Sequence, residues 1–138
     1  MILVDTSALL AAWDNDDERH VATRDALLAS RPPRLLSPFV LAELDYLIVS
    51  RLGRRRRSTL LEEVSLGAYR LTPWAADDIG EAKTIVDRYD VSLADASIVV
   101  LAWRHRVQDV FTLDERHFRV LPGPAGPFRL LPADGTDN

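Results

Sequence analysis

A chain of 138 residues, 47% apolar and 28% charged, has the size and composition of one water-soluble domain with a single core. Its net charge of -4 argues against electrostatic binding of nucleic acid over the whole surface, and the absence of cysteine excludes disulfides and thiolate metal sites. No apolar run approaches the roughly 18–20 residues that span a bilayer, and no signal-peptide pattern opens the chain, so a cytoplasmic protein is expected.

In chain order, Ile2–Val4 is a short apolar run with β-branched residues and reads as a buried first strand. Asp5-Thr6-Ser7 supplies capping residues for a helix through Trp13. The acidic break Asp14–Glu18 complements the dipole of a second helix, about 17–29, which Arg31-Pro32-Pro33 stops. Leu35–Ser37 is a second strand. Ser37-Pro38 then opens a helix running to about Arg51, with proline in its favoured first position. That helix is apolar nearly all round and is expected at the centre of the fold.

Gly53 ends it, and a helix over 54–65 follows. Residues 67–71 suggest a third strand, 75–87 a helix, and 93–105 a second very apolar helix. Val110–Thr112 is a fourth strand and Phe128–Leu131 a fifth, reached through the turn-forming segment Pro122–Pro127. Strands alternating with helices predict an α/β domain, with a short, mostly parallel central sheet flanked by helices on both faces. The domain is expected to fill residues 1–132, leaving 133–138 as a flexible polar tail.

Four acids stand at the edges of apolar runs: Asp5, Glu43, Asp95 and Asp114. Carboxylates tied to core-forming segments are rare unless paired or bound to a cation. Helix capping is an equally good account of Asp5 alone, and capping or turn formation is the usual account of Asp95 and Asp114. Glu43 is harder to explain so, because its neighbours at helical spacing are Phe39, Val40, Tyr46 and Leu47. In open parallel sheets, sites lie outside the carboxyl ends of the strands, where Asp5 and Asp114 are expected. If all four converge, a hard divalent cation relieves their repulsion most simply.

The segments carrying these acids are Leu3–Leu10, Ser37–Leu44, Leu93–Ile98 and Phe111–Phe118. In that order they resemble the four acidic motifs of the PIN-domain nucleases, over residues 1 to about 131. Chain length and motif order resemble the VapC-type toxins of bacterial toxin–antitoxin pairs. The resemblance implies a PIN-like fold and an RNA endonuclease that uses Mg²⁺ or Mn²⁺. Asp5, Glu43, Asp95 and Asp114 would be its metal-holding and catalytic residues, and a metal-activated water its nucleophile. It further implies a homodimer and inhibition by a cognate antitoxin protein. The chain departs from the pattern at Arg116, where some members carry a further acid.

Candidate substrate contacts are Thr6, Ser7, Arg116, His117 and the run Arg54, Arg55, Arg56 and Arg57, whose charge opposes a helix dipole and, with Arg51 just before it, suits a phosphate-binding rim. Contact with an antitoxin is nearly as good a reading of the run. His20 and His105 read as surface residues, and Trp13, Trp74 and Trp103 as core or dimer anchors. No glycine-rich phosphate loop follows a strand. Two alternatives stay open: a PIN nuclease of RNA processing that is not a toxin, and an inactive PIN-like binding module.

Overall fold

The structure, a computed structural model, describes residues 1–135. Three strands carry the frame: β1 (Ile2–Val4), β2 (Arg34–Leu36) and β3 (Arg70–Leu71). Between them run α1 (Thr6–Trp13), α2 (His20–Ala29), α3 (Pro38–Leu52) and α4 (Arg54–Ser65). The second half supplies α5 (Ala76–Tyr89), α6 (Leu93–His105), β4 (Asp109–Phe111), α7 (Glu115–Phe118), β5 (Pro122–Gly123), β6 (Gly126–Pro127) and β7 (Arg129–Leu131).

The main sheet has the order β3-β2-β1-β4-β7, and every pairing in it is parallel. In β1 three successive residues are buried although their side chains alternate in direction. Both faces of the central strand are therefore covered, as the near-continuous apolar run demanded. The chain winds from β1 toward β3 on one side, then returns to place β4 on the other side of β1. This reversal opens a crevice at the carboxyl ends of β1 and β4. The Asp5 backbone N–H donates to Phe111 O at 2.9 Å and ties those two ends together.

The central helix is α6, where every residue from Ala96 to Ala102 is buried. The expected central position of α3 is not observed. Its buried side chains form one stripe, Val40, Leu44 and Ile48, while Tyr46 is exposed. Phe39, Leu41, Leu47 and Leu52 pack against the core but stay partly exposed, a partial covering that apolar composition alone did not reveal. A buried pair of hydroxyls joins the two helices, with Ser37 Oγ and Ser97 Oγ 2.7 Å apart. Ser37 also accepts from the Phe39 N–H as the N-cap of α3, and Ser97 Oγ–H can donate to Ala94 O.

Two small elements were not expected. Pro122–Pro127, read as a turn, forms the antiparallel β5–β6 ribbon, and the turn after Asp114 tightens into α7. The flexible tail expected from Ala133 is tied down where it is described. Asp134 accepts from Nη1 and Nη2 of Arg119, at 2.8 and 2.7 Å, and from the Leu130 N–H at 2.8 Å. Thr136–Asn138 lie outside the described residues. No described helix is long and apolar enough to cross a membrane.

Candidate metal centre

A cleft of about 410 Å³ opens at the carboxyl end of the sheet. Asp5, Glu43, Asp95 and Asp114 all line it, drawn from the end of β1, the middle of α3, the first turn of α6 and the loop after β4. Segments distant in sequence thus converge because β1 and β4 pair side by side and α3 packs on α6.

Asp5 is only 4% exposed. It occupies the position before α1, yet its side chain makes no capping hydrogen bond. Its Oδ2 instead accepts from Thr112 Oγ–H at 2.7 Å and from Ser7 Oγ–H at 2.8 Å. Those hydroxyls accept in turn from the backbone, Asp114 N–H to Thr112 at 2.9 Å and Leu113 N–H to Ser7 at 2.9 Å. The network fixes the carboxylate and the loop that carries Asp114 as one unit. Burial pushes the Asp5 carboxyl above its usual range, against the hydrogen bonds from Thr112 and Ser7 and with some repulsion from Glu43.

Asp95 is three residues beyond Ser92, whose hydroxyl caps α6 by accepting from the Asp95 N–H at 3.1 Å. The capping role falls to the serine, so the Asp95 carboxylate is left for the cleft. Burial, then repulsion from Asp5 and Asp114, pushes it up to about 7. Asp114 does cap α7, accepting from the His117 N–H at 3.1 Å on Oδ1. Its Oδ2 accepts from His117 Nδ1–H at 2.7 Å. Glu43 reaches the cleft from an exposed position on α3, so its apolar neighbours did not bury it.

Four carboxylates around one small cleft repel each other, and that repulsion adds to burial in raising Asp95 and, more weakly, Asp5. Thr6 lines the same cleft, and its Oγ1 is buried with no hydrogen-bond partner in the protein. An orphaned buried hydroxyl beside crowded oxygen donors suits a hydrated hard cation, which neutralises the acids and brings waters for the hydroxyl to bond. The donor set fits Mg²⁺ or Mn²⁺ and lacks the thiolates of softer sites.

Among the expected substrate contacts, Thr6, Ser7 and His117 line the cleft. Arg54, Arg55, Arg56, Arg57 and Arg116 do not. The guanidinium of Arg56 lies 5.7 Å over the Trp13 ring, and Arg57 approaches Asp45 at 3.6 Å, so two members of the run serve local packing. The basic wall is made instead by Arg51 and Arg19, the latter paired with Asp17 at 3.1 Å. Of the five arginines expected at a phosphate-binding rim, Arg51 alone lines the cleft, since Glu43, Leu47 and Arg51 recur at four-residue spacing along one face of α3.

This α/β crossover fold with an acidic crevice at its switch point defines the class. The PIN-domain family profile matches residues 2–123, and the chain belongs to that family. Ribonuclease VapC26 of Mycobacterium tuberculosis (strain ATCC 25618 / H37Rv) is 39% identical to it over 135 residues, 95% of this chain and 100% of that protein. The crystal structure of M. tuberculosis VapC20, a sarcin-ricin loop cleaving toxin, superposes with a TM-score of 0.74 at 25% identity, covering 83% of this chain and 90% of that one. A toxin–antitoxin complex from Klebsiella pneumoniae matches in fold, with a TM-score of 0.68 at 20% identity over 89% of this chain and 94% of its counterpart.

Proposed function

We propose that this protein is a divalent-metal-dependent endoribonuclease, the toxin of a toxin–antitoxin pair, acting in the cytoplasm as a homodimer. The observation that carries the reading is the convergence of Asp5, Glu43, Asp95 and Asp114 on one cleft. The 39% identity to Ribonuclease VapC26 along the whole of that protein supports RNA as the substrate.

Asp5, Asp95 and Asp114, with Glu43, would hold Mg²⁺ or Mn²⁺. The bound ion would supply Lewis acidity toward a phosphate oxygen and an activated water for hydrolysis of the phosphodiester bond. The chain's own residues do the rest. Thr112 and Ser7 hold Asp5 at a fixed angle. The orphaned hydroxyl of Thr6 would be satisfied by a water drawn in with the ion. Arg51 and Arg19 attract the strand at flanking phosphates.

A cognate antitoxin would cover the cleft and meet its basic wall with acidic side chains. Trp103, half exposed with its indole N–H satisfied by Pro122 O at 3.0 Å, supports an apolar face for the second protomer, as does the exposed Val120 two residues before Pro122.

The test is cleavage of RNA by the purified protein with Mg²⁺ or Mn²⁺, with and without a chelator. Cleavage should stop with chelator, and Asp5→Asn or Asp95→Asn should each lower the rate about a hundredfold or more. Undiminished cleavage by either variant would remove that residue from the mechanism, and chelator-resistant cleavage would refute the metal.

A further inference from the structure

Resting on the metal-dependent reading above, we infer that His117 is a nitrogen ligand of this centre, joining Asp95 and Asp114 through Nδ1. The imidazole lies partly exposed at the cleft, with Nδ1 2.7 Å from Asp114 Oδ2 and 3.9 Å from Asp95 Oδ2. One donor atom from each of Asp95, Asp114 and His117 falls within 4.8 Å of the other two, and all three residues are partly buried.

The spacing suits a shared ion. Donors about 2.1 Å from a common cation sit about 3.0 Å apart when adjacent and about 4.2 Å apart when opposite. The separations of 2.7 and 3.9 Å need only a small adjustment to meet those values. The backbone also favours ligation. His117 and Asp114 share one helical turn, and the His117 N–H already donates to Asp114 Oδ1, which keeps ring and carboxylate facing the same point.

Charge supplies the second argument. Arg116 stands two positions after Asp114 and does not line the cleft. A neutral imidazole adds a donor without another negative charge beside Asp5, Asp95 and Asp114. Ligation uses the tautomer with its proton on Nε2, and the Nδ1 lone pair turns from the carboxylate to the cation. A nitrogen donor shifts preference toward Mn²⁺ and later divalent metals over Mg²⁺, which favours oxygen throughout. A histidine that only orients Asp114 by hydrogen bonding would leave that preference alone.

The experiment is pulsed electron paramagnetic resonance of the full chain loaded with Mn²⁺, read for modulation by a directly bound ¹⁴N. Wild type should show the coupling and His117→Gln should lose it. Mn²⁺ affinity should fall at least about tenfold in the variant, and Mg²⁺ affinity measured by competition should fall less. Absence of ¹⁴N coupling in wild type overturns the inference even if the variant fails to fold, and coupling that persists in a folded His117→Gln protein assigns it elsewhere and does the same. Failure of the underlying reading looks different, since Mn²⁺ would then not bind, or would bind unaffected by Asp95→Asn and Asp114→Asn.

Discussion

At the scale of single residues, the acids are held by hydrogen bonds from neighbouring side chains. Thr112 donates to a buried carboxylate and accepts from the Asp114 N–H, so one hydroxyl serves two of the four acids. Thr112→Val should cost about 1.5–3 kcal/mol of stability, the range for a buried hydrogen bond to a charged group. It should also slow RNA cleavage while leaving the sheet intact, which urea denaturation and a cleavage assay would separate. An unchanged rate would mean that Asp5 needs no such support. Arg51 and the arginine run make a second contrast. Arg51→Gln should reduce the slope of log affinity for single-stranded RNA against log salt by about 0.7, whereas Arg54→Gln should barely change it. Equal slopes for both variants would return the binding role to the run.

Among the elements, Gly53 sets the corner between α3 and α4 with φ 92° and ψ 171°, a region open to glycine and strained for other residues. A β-carbon there meets nothing within 4 Å, so the cost of Gly53→Ala is one of backbone conformation. A loss of about 1–3 kcal/mol is expected in thermal or urea denaturation, and a neutral result would show that the corner relaxes freely. The glycine was legible in sequence because it punctuated two helical segments. The bounds of α4 and α6 were equally legible, each framed by a clear start and stop. What escaped was too short for periodicity, as with α7 and the β5–β6 ribbon, or depended on register. The Thr112–Asp5 bond spans the chain, and only the alignment of β1 with β4 brings its partners together. The acids could be read from their neighbours, whereas the hydroxyls that hold them could not.

For the molecule as a whole, the centre couples stability to pH and metal. Asp95 titrates near 7 when folded and near 3.8 when unfolded, with Asp5 shifted in the same direction. Between those values the metal-free native state holds a proton that the unfolded chain has released, so stability falls as pH rises through the window. Metal-free protein should melt at a lower temperature at pH 8 than at pH 5.5, and added Mn²⁺ should raise the melting temperature more at pH 8. Scanning calorimetry with and without Mn²⁺ checks both, and a larger metal effect at pH 5.5 would contradict the assignment. Asp134 runs the other way. Its bond to Arg119 holds it down to about 2, so its contribution fades only in strong acid and leaves this window untouched.

The side-by-side pairing of β1 with β4 carries a consequence for biosynthesis. The strand beside the first acid, and the last acid with it, are synthesised more than a hundred residues after Asp5. A nascent polypeptide therefore has no assembled centre until β4 and Asp114 have both been made and paired beside β1.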